Sequence, residues 1–171
     1  MLKPKVLDAI NNQINAEFYS AFLYLSMSAW FQDKGLHGFA NWMFVQYGEE
    51  LAHGNKFFNY VVDRGSKVEL KAIDQVPVDF ESITDVWEKS LAHEQKVTSM
   101  INRIMDVAIE AGDHATISFL KWFVDEQVEE EANVTDILAA LKLIGGEGNG
   151  IFMLDREMSQ RTSAGGEPAA G

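Results

Sequence analysis

Four segments of the chain carry apolar side chains at spacings of three and four over about thirty residues, and each series is broken near its middle by an acid. The first runs Ile10, Ile14, Glu17, Ala21, Tyr24, Ser28, and the second Phe39, Met43, Gln46, Glu50, His53, Phe57, Tyr60. The third runs Ile83, Trp87, Leu91, Glu94, Val97, Ile101, Met105, and the fourth Ile117, Leu120, Val124, Gln127, Glu130, Val134, Ile137, Leu141. That period sets each series on one face of an α-helix, the face a bundle turns inward. A glutamate there must leave water, which glutamates rarely do unpaired.

The breakers fix the order of the helices. Pro4 suits a first helical turn, so the first helix is expected from Pro4 to about Lys34, where Gly35 ends it. The second is expected over about Leu36–Arg64, stopped by Gly65. Residues 65–81 contain Pro77 and no sustained period, and read as a loop. Ser82 with Asp85 resembles a capping box and opens a third helix to about Ala111. Gly112 interrupts, Asp113 caps, and a fourth helix is expected to about Ile144. The run GGEGNG at 145–150 breaks it, and a short amphipathic helix is expected over about Ile151–Gln160. One domain over residues 1–160 follows, with a disordered tail at 161–171.

Gly35 and Gly112 leave only short connections, so two antiparallel hairpins result. A helix of about 29 residues is roughly 44 Å long at 1.5 Å per residue. The 17-residue loop stretches to roughly 56 Å at about 3.3 Å per residue, enough to return along the whole bundle. The expected fold is an all-α four-helix bundle with a long crossover between helices two and three and a short fifth helix.

Glu17, Glu50, Glu94 and Glu130 all lie near their helix midpoints, and helices of similar length packed side by side bring midpoints to one level. Burying an unpaired carboxylate costs several kcal/mol even after relaxation. The only basic residue in the four stripes is His53. Two divalent cations balance four carboxylates, so a dinuclear metal site is the economical solution. Carboxylates with one imidazole and no thiolate favour iron or manganese, with zinc as a competitor. Glu50 and His53 form a Glu-x-x-His unit on one helix face, the pattern that carboxylate-bridged di-iron bundles use. Tyr24, two turns beyond Glu17, reads either as a core aromatic or as a hydrogen-bond partner or electron donor beside the metals. Gln127 reads as a neutral core residue or as support for the centre. Trp122 reads as packing. Glu49, Glu126, Glu129 and Glu131 read first as a solvated surface, and otherwise as the makings of a third cation site borrowing Glu130. His37, His93 and His114 are expected to be exposed. His93-Glu94 does not open a zinc-protease HExxH, because position 97 is valine.

Composition narrows the remaining classes. There is no cysteine among the 171 residues, which removes disulfides, thiolate metal sites and cysteine nucleophiles. A net charge of −12 makes nucleic-acid binding a poor expectation. No signal-like N-terminus and no long apolar run is present, so a cytoplasmic protein without a membrane segment is expected.

The stretches MLKP, NNQINAEFYSAFLYLSMSAW, YGEELAHGNKFFNYV, HEQKV and FLKWFVDEQVEEE resemble those of the bacterial non-haem ferritins, within the ferritin-like di-iron family. The resemblance extends to about residue 160. It implies a hollow shell of twenty-four identical subunits around a mineral core, with a ferroxidase centre in each bundle that oxidises Fe(II) to Fe(III) by O2 or hydrogen peroxide. On that resemblance Glu17, Glu50 and His53 correspond to the first iron site. Glu50 bridges to a second, completed by Glu94 and Glu130 with Gln127 close by. Glu49, Glu126, Glu129 and Glu130 resemble a third site, and Tyr24 the tyrosine beside the centre. The chain also departs from relatives. The fourth helix has Gln127-x-x-Glu130 where bacterioferritins and rubrerythrins have a second Glu-x-x-His. The bacterioferritin haem methionine is replaced within Leu51-Ala52-His53-Gly54, so no haem is expected. Ile117 and Leu120 align with the acids that line the three-fold channel of animal ferritins.

Overall fold

The computed structural model describes residues 1–145 and 148–163. Four long helices, α1 (Pro4–Asp33), α2 (His37–Asp63), α3 (Ile83–Glu110) and α4 (His114–Ile144), are followed by a short α5 (Asn149–Met158). Every long helix lies within a residue or two of the span its breakers dictate. Gly35 and Gly112 both take positive φ, 72° and 62°, a region that L side chains avoid. Each lets the chain reverse within a few residues. Ser82 and Asp113 cap α3 and α4 as expected, accepting from the backbone N–H groups of Asp85 and Thr116.

α1 packs along α2, α3 along α4, and α1 also faces α3. The segment between α2 and α3 contains no helix or strand and is pinned to the outside of α1. Asn11 accepts from the Glu69 N–H, Asn15 donates to the Ala72 carbonyl, and Ser26 donates to the Pro77 carbonyl. It is the long crossover that lets α2 and α3 run parallel. Of the expected break, residues 146 and 147 lie outside the described residues, as do residues 164–171 of the expected tail. Among the described residues no helix is long and apolar enough to cross a membrane.

The apolar core is two clusters rather than one. The first gathers Tyr24, Met27, Phe31, Phe39, Trp42, Trp87, Val134 and the apolar face of α5 around one end of the bundle. The second gathers Ile10, Ile14, Phe57, Ile101, Leu120 and Phe123 around the other. Phe57 and Phe123 stack at 4.0 Å between ring centroids, joining α2 to α4. Between the clusters lies a buried layer that includes Gln13, Glu17, Ser20, Gln46, Glu50, His53, Glu94, Gln127 and Glu130.

α5 is tied to the start of α2 by a cap that no local pattern supplies. Leu36, the N-cap of α2, offers no side-chain bond, and Asp155 of α5 accepts instead from the N–H groups of Gly38 and Phe39 at 2.9 and 3.0 Å. A carboxylate at a helix N-terminus satisfies orphan donors and complements the helix dipole. The approach needs Gly38, since a Cβ there would stand 1.6 Å from the Asp155 carbonyl oxygen. Gly38→Ala is therefore expected to lift α5 and lower stability by about 1–3 kcal/mol, read as a fall in thermal midpoint. An unchanged midpoint would show that this contact is not holding α5.

Candidate metal centre

One helix of each kind delivers one glutamate to the polar layer. Glu17, Glu50, Glu94 and Glu130 are 1, 2, 1 and 3% exposed, and His53 is 6% exposed. On α1, Gln13 donates to Glu17 Oε1 at 2.8 Å, whereas the buried Glu17 Oε2 receives no donor. On α2, Gln46 donates to Glu50 Oε1 and to Glu130 Oε2, both at 2.9 Å, linking α2 to α4. His53 Nδ1 lies 3.7 Å from Glu50 Oε2, one turn along the helix. On α3, Glu94 receives the Tyr24 hydroxyl on one oxygen and Gln127 Nε2 on the other, the latter at 3.1 Å. Gln127 lies 3.2 Å from Thr98 as well.

Donor atoms converge in two groups. Glu17, Glu50 and His53 each offer one atom, all within 4.8 Å of one another, and so do His53, Glu126 and Glu130. Glu94 stands outside both groups and joins the layer through Tyr24 and Gln127. Of the further acids, Glu126 is half-buried with its carboxylate 4.0 Å from His53 Nε2. Glu129 is exposed. Glu49 faces another partner, Arg161 Nη2, at 2.6 Å. Glu131 bonds Thr98 at 2.6 Å.

The electrostatics follow from burial without neutralising charge. Burial first, then the charge of Glu50, hold Glu17 well above the usual carboxylate range. Glu94 is pushed up to about 8 by burial and by Glu50, and Glu130 to about 8 by burial, Glu50 and Glu94. Burial pushes Glu50 up too, but the His53 hydrogen bond and charge, with Gln46 and Glu17, outweigh it and leave Glu50 low. His53 moves up: burial opposes its charge, while Glu50, Glu130 and Glu126 favour it more strongly. Burial and Glu94 keep the Tyr24 phenol protonated well past its ordinary range. Among the described residues no lysine or arginine pairs with any of the four buried glutamates. Within the layer, carboxylates and one imidazole supply donor groups that could hold a metal ion.

His93 departs from the sequence expectation. It is half-buried rather than exposed, because its ring leaves the α3 stripe sideways into a slot on α1. There it shares a 2.7 Å hydrogen bond with Ser20 and meets Tyr19 and Tyr24 edge-on or tilted. Burial, assisted by Lys96, pulls its pKa down to about 4, so the ring is neutral. His37 and His114 are exposed. Trp122 is partly exposed, with Lys56 Nζ 3.1 Å over its ring and His53 5.4 Å from it. The polar partners Gln13 and Gln46 were legible in principle: both helices of the first hairpin repeat a Gln-x-x-x-Glu spacing.

This fold and this layer define a class: helical bundles with a carboxylate-rich donor set inside each subunit. The chain belongs to the ferritin family, the Ferritin-like domain model matching residues 7–144. It is 40% identical over 162 residues to a bacterial non-haem ferritin of Staphylococcus aureus, covering 95% of this chain and 98% of that one. A bacterial non-haem ferritin of Staphylococcus saprophyticus is 41% identical, with 95% and 97% covered. An open-pore ferritin from the hyperthermophilic archaeon Archaeoglobus fulgidus superimposes with a TM-score of 0.93 at 44% identity, over 95% of this chain and 100% of that one. A closed form of the A. fulgidus ferritin, engineered by site-directed mutagenesis, gives 0.94 at 44% identity, over 96% and 100%.

The raised carboxyl groups make a pH-dependent signature. Glu94 and Glu130 are pushed up to about 8, above the ordinary carboxyl value near 4.3, so the folded metal-free chain keeps protons that the unfolded chain releases. Its stability is therefore expected to fall as pH rises from about 4.5 to about 8, and metal to abolish the fall. At pH 7, Zn2+ is expected to displace those protons, and proton release should decline above pH 8. Calorimetry in buffers of different ionisation heat reads this directly; release independent of pH would refute the charge assignment.

Proposed function

We propose that this chain is an iron-storage subunit that oxidises Fe(II) to Fe(III) at the centre inside its own bundle. The single observation that carries the reading is the burial of Glu17, Glu50, Glu94 and Glu130 around one histidine, with no lysine or arginine among the described residues to pair them. In this reading Fe(II) is the substrate. One ion takes Glu17, Glu50 and His53, and a second takes Glu50, Glu94 and Glu130, with Gln127 beside it. Two divalent cations on such a set leave little residual charge.

Binding displaces the protons held by the carboxyl groups. Each of two ferrous ions then gives up one electron, and O2 takes both with two protons to leave as hydrogen peroxide. Where peroxide is the oxidant, the same two electrons and two protons yield two waters. Fixed carboxylates stabilise the more highly charged, harder product ion, which favours the oxidised state. Tyr24, hydrogen-bonded to Glu94, sits where it orients that ligand and is within reach as an electron donor. Glu49, Glu126, Glu129 and Glu130 form a third, more open station through which ferric iron leaves the pair.

Likeness to ferritins along nearly the whole chain supports the remaining parts of the proposal: a shell of twenty-four copies, a ferric mineral in its cavity and a cytoplasmic location. Glu50→Ala and His53→Ala are expected to slow ferrous oxidation by ~10-fold or more, as loss of support at metal sites commonly does, with particle mass unchanged. Stopped-flow absorbance after mixing Fe(II) with metal-free protein in air measures the rate. Wild-type rates in both variants would remove the oxidation centre from these residues. Native particle mass together with its iron-to-protein ratio tests the shell.

A further inference from the structure

Arg161 lies beyond the last turn of α5, at the start of the segment that the composition assigns to a tail, yet its side chain reaches the edge of the metal centre. Its Nη2 donates to Glu49 Oε2 at 2.6 Å and to Gln46 Oε1 at 2.7 Å, and its Nη1 donates to the Trp42 carbonyl at 3.2 Å. The guanidinium also lies 3.9 Å over the Trp42 ring. Both members of the Arg161–Glu49 pair are largely shielded, with side chains 18 and 22% exposed. A pair so enclosed, bonded through a planar fork and stacked on an indole, is far better defined than a solvated surface pair.

Its placement has two consequences. Gln46 can accept from Arg161 only through Oε1, so its amide nitrogen must face Glu50 and Glu130, where it donates to both. Glu49, meanwhile, is near enough to Glu126 for its charge to help raise that carboxyl, after burial and the charge of Glu129. The carboxylate that the third station requires is thus already held by a cation of the protein's own.

We propose that Arg161 is a tethered competitor for the third cation station: a metal ion loads beside Glu49 only by displacing the Arg161 guanidinium. This rests on the metal-centre reading above and deepens it. The station is then occupied in transit rather than filled, because the guanidinium returns to Glu49 whenever the ion moves on. Backbone anchors hold the segment while the side chain swings. Asn41 donates to the Met158 and Arg161 carbonyls at 3.3 and 3.0 Å, and Asp155 caps α2. Arg161→Gln leaves all of these in place.

The test is anaerobic Zn2+ titration of the assembled full-length protein, followed by calorimetry and equilibrium dialysis. Wild type is expected to take two ions per chain tightly and a third weakly. Arg161→Gln should tighten the third step roughly tenfold, the size of effect one charged hydrogen bond produces, and leave the first two unaltered. Glu49→Gln should make the third step indifferent to Arg161→Gln. A third step unchanged in Arg161→Gln overturns the proposal while the dinuclear reading stands. Loss of the first two steps in wild type overturns both. A second readout needs no change at Arg161: the third Zn2+ should alter Trp42 fluorescence in wild type and not in Trp42→Phe, as the stacked guanidinium departs. A third ion bound with no Trp42 response overturns the proposal even if Arg161→Gln fails to assemble.

Discussion

The structure is organised by the cost of keeping four carboxylates in a dry interior with only one imidazole to offset them. Buried charge without a partner costs several kcal/mol per ion, and the neutral amides and phenol around the layer offset only part of it, since Glu17, Glu94 and Glu130 remain raised. The apolar core is accordingly cut in two, one aromatic-rich cluster on each side of the polar layer. Stability comes from the clusters, and the layer is held in register because the helices that bear it are continuous through both. A displacement of one helix by a turn would move its glutamate some 5 Å, into apolar side chains. The same long helices that make the bundle stable therefore fix the donor atoms.

Much of this was legible in the sequence because it depends on local periodicity. Gly35 and Gly112 end helices where a positive φ is required, and the acid within each stripe is buried because its apolar neighbours are. Contacts made by a side chain leaving its own element's face were not legible. His93 occupies a position adjacent to Glu94 that helical geometry turns sideways, and the Tyr19, Ser20 and Tyr24 side chains of α1 make that direction an interior one. Arg161 sits among residues of tail-like composition, and Trp42, Gln46 and Glu49 on a helix more than a hundred residues earlier give it a place. Asp155 caps a helix it does not belong to. Each miss is a long-range contact with no periodic signal.

α5 is small, but its contacts explain why it is more than an appendage. It closes the aromatic end of the bundle with Ile151, Leu154 and Met158, and through Asp155 it supplies the missing N-cap of α2, the helix that carries Glu49, Glu50 and His53. The segment that follows then returns to α2 at Trp42, Gln46 and Glu49, so two turns of the helix that carries Glu50 and His53 are gripped from outside the four-helix bundle. Precision in a metal site depends on such support as much as on the ligands themselves.

The neutral identity of the inner hydrogen-bond donors completes the logic. Gln13, Gln46, Gln127 and Tyr24 each donate to a buried glutamate oxygen, and none brings a positive charge. Lysine or arginine in their places would neutralise the acids permanently, and a multivalent ion would then have to break an ion pair to enter. Amides and a phenol orient the carboxylates without neutralising them, so that burial leaves Glu17, Glu94 and Glu130 balanced by protons. The Arg161 guanidinium is kept at the rim, on Glu49 and on the far oxygen of Gln46. Fixed positive charge is thus confined in the middle to His53, beside Glu50, while the longer cations Arg161 and Lys56 stay at the rim, near Glu49 and Glu126.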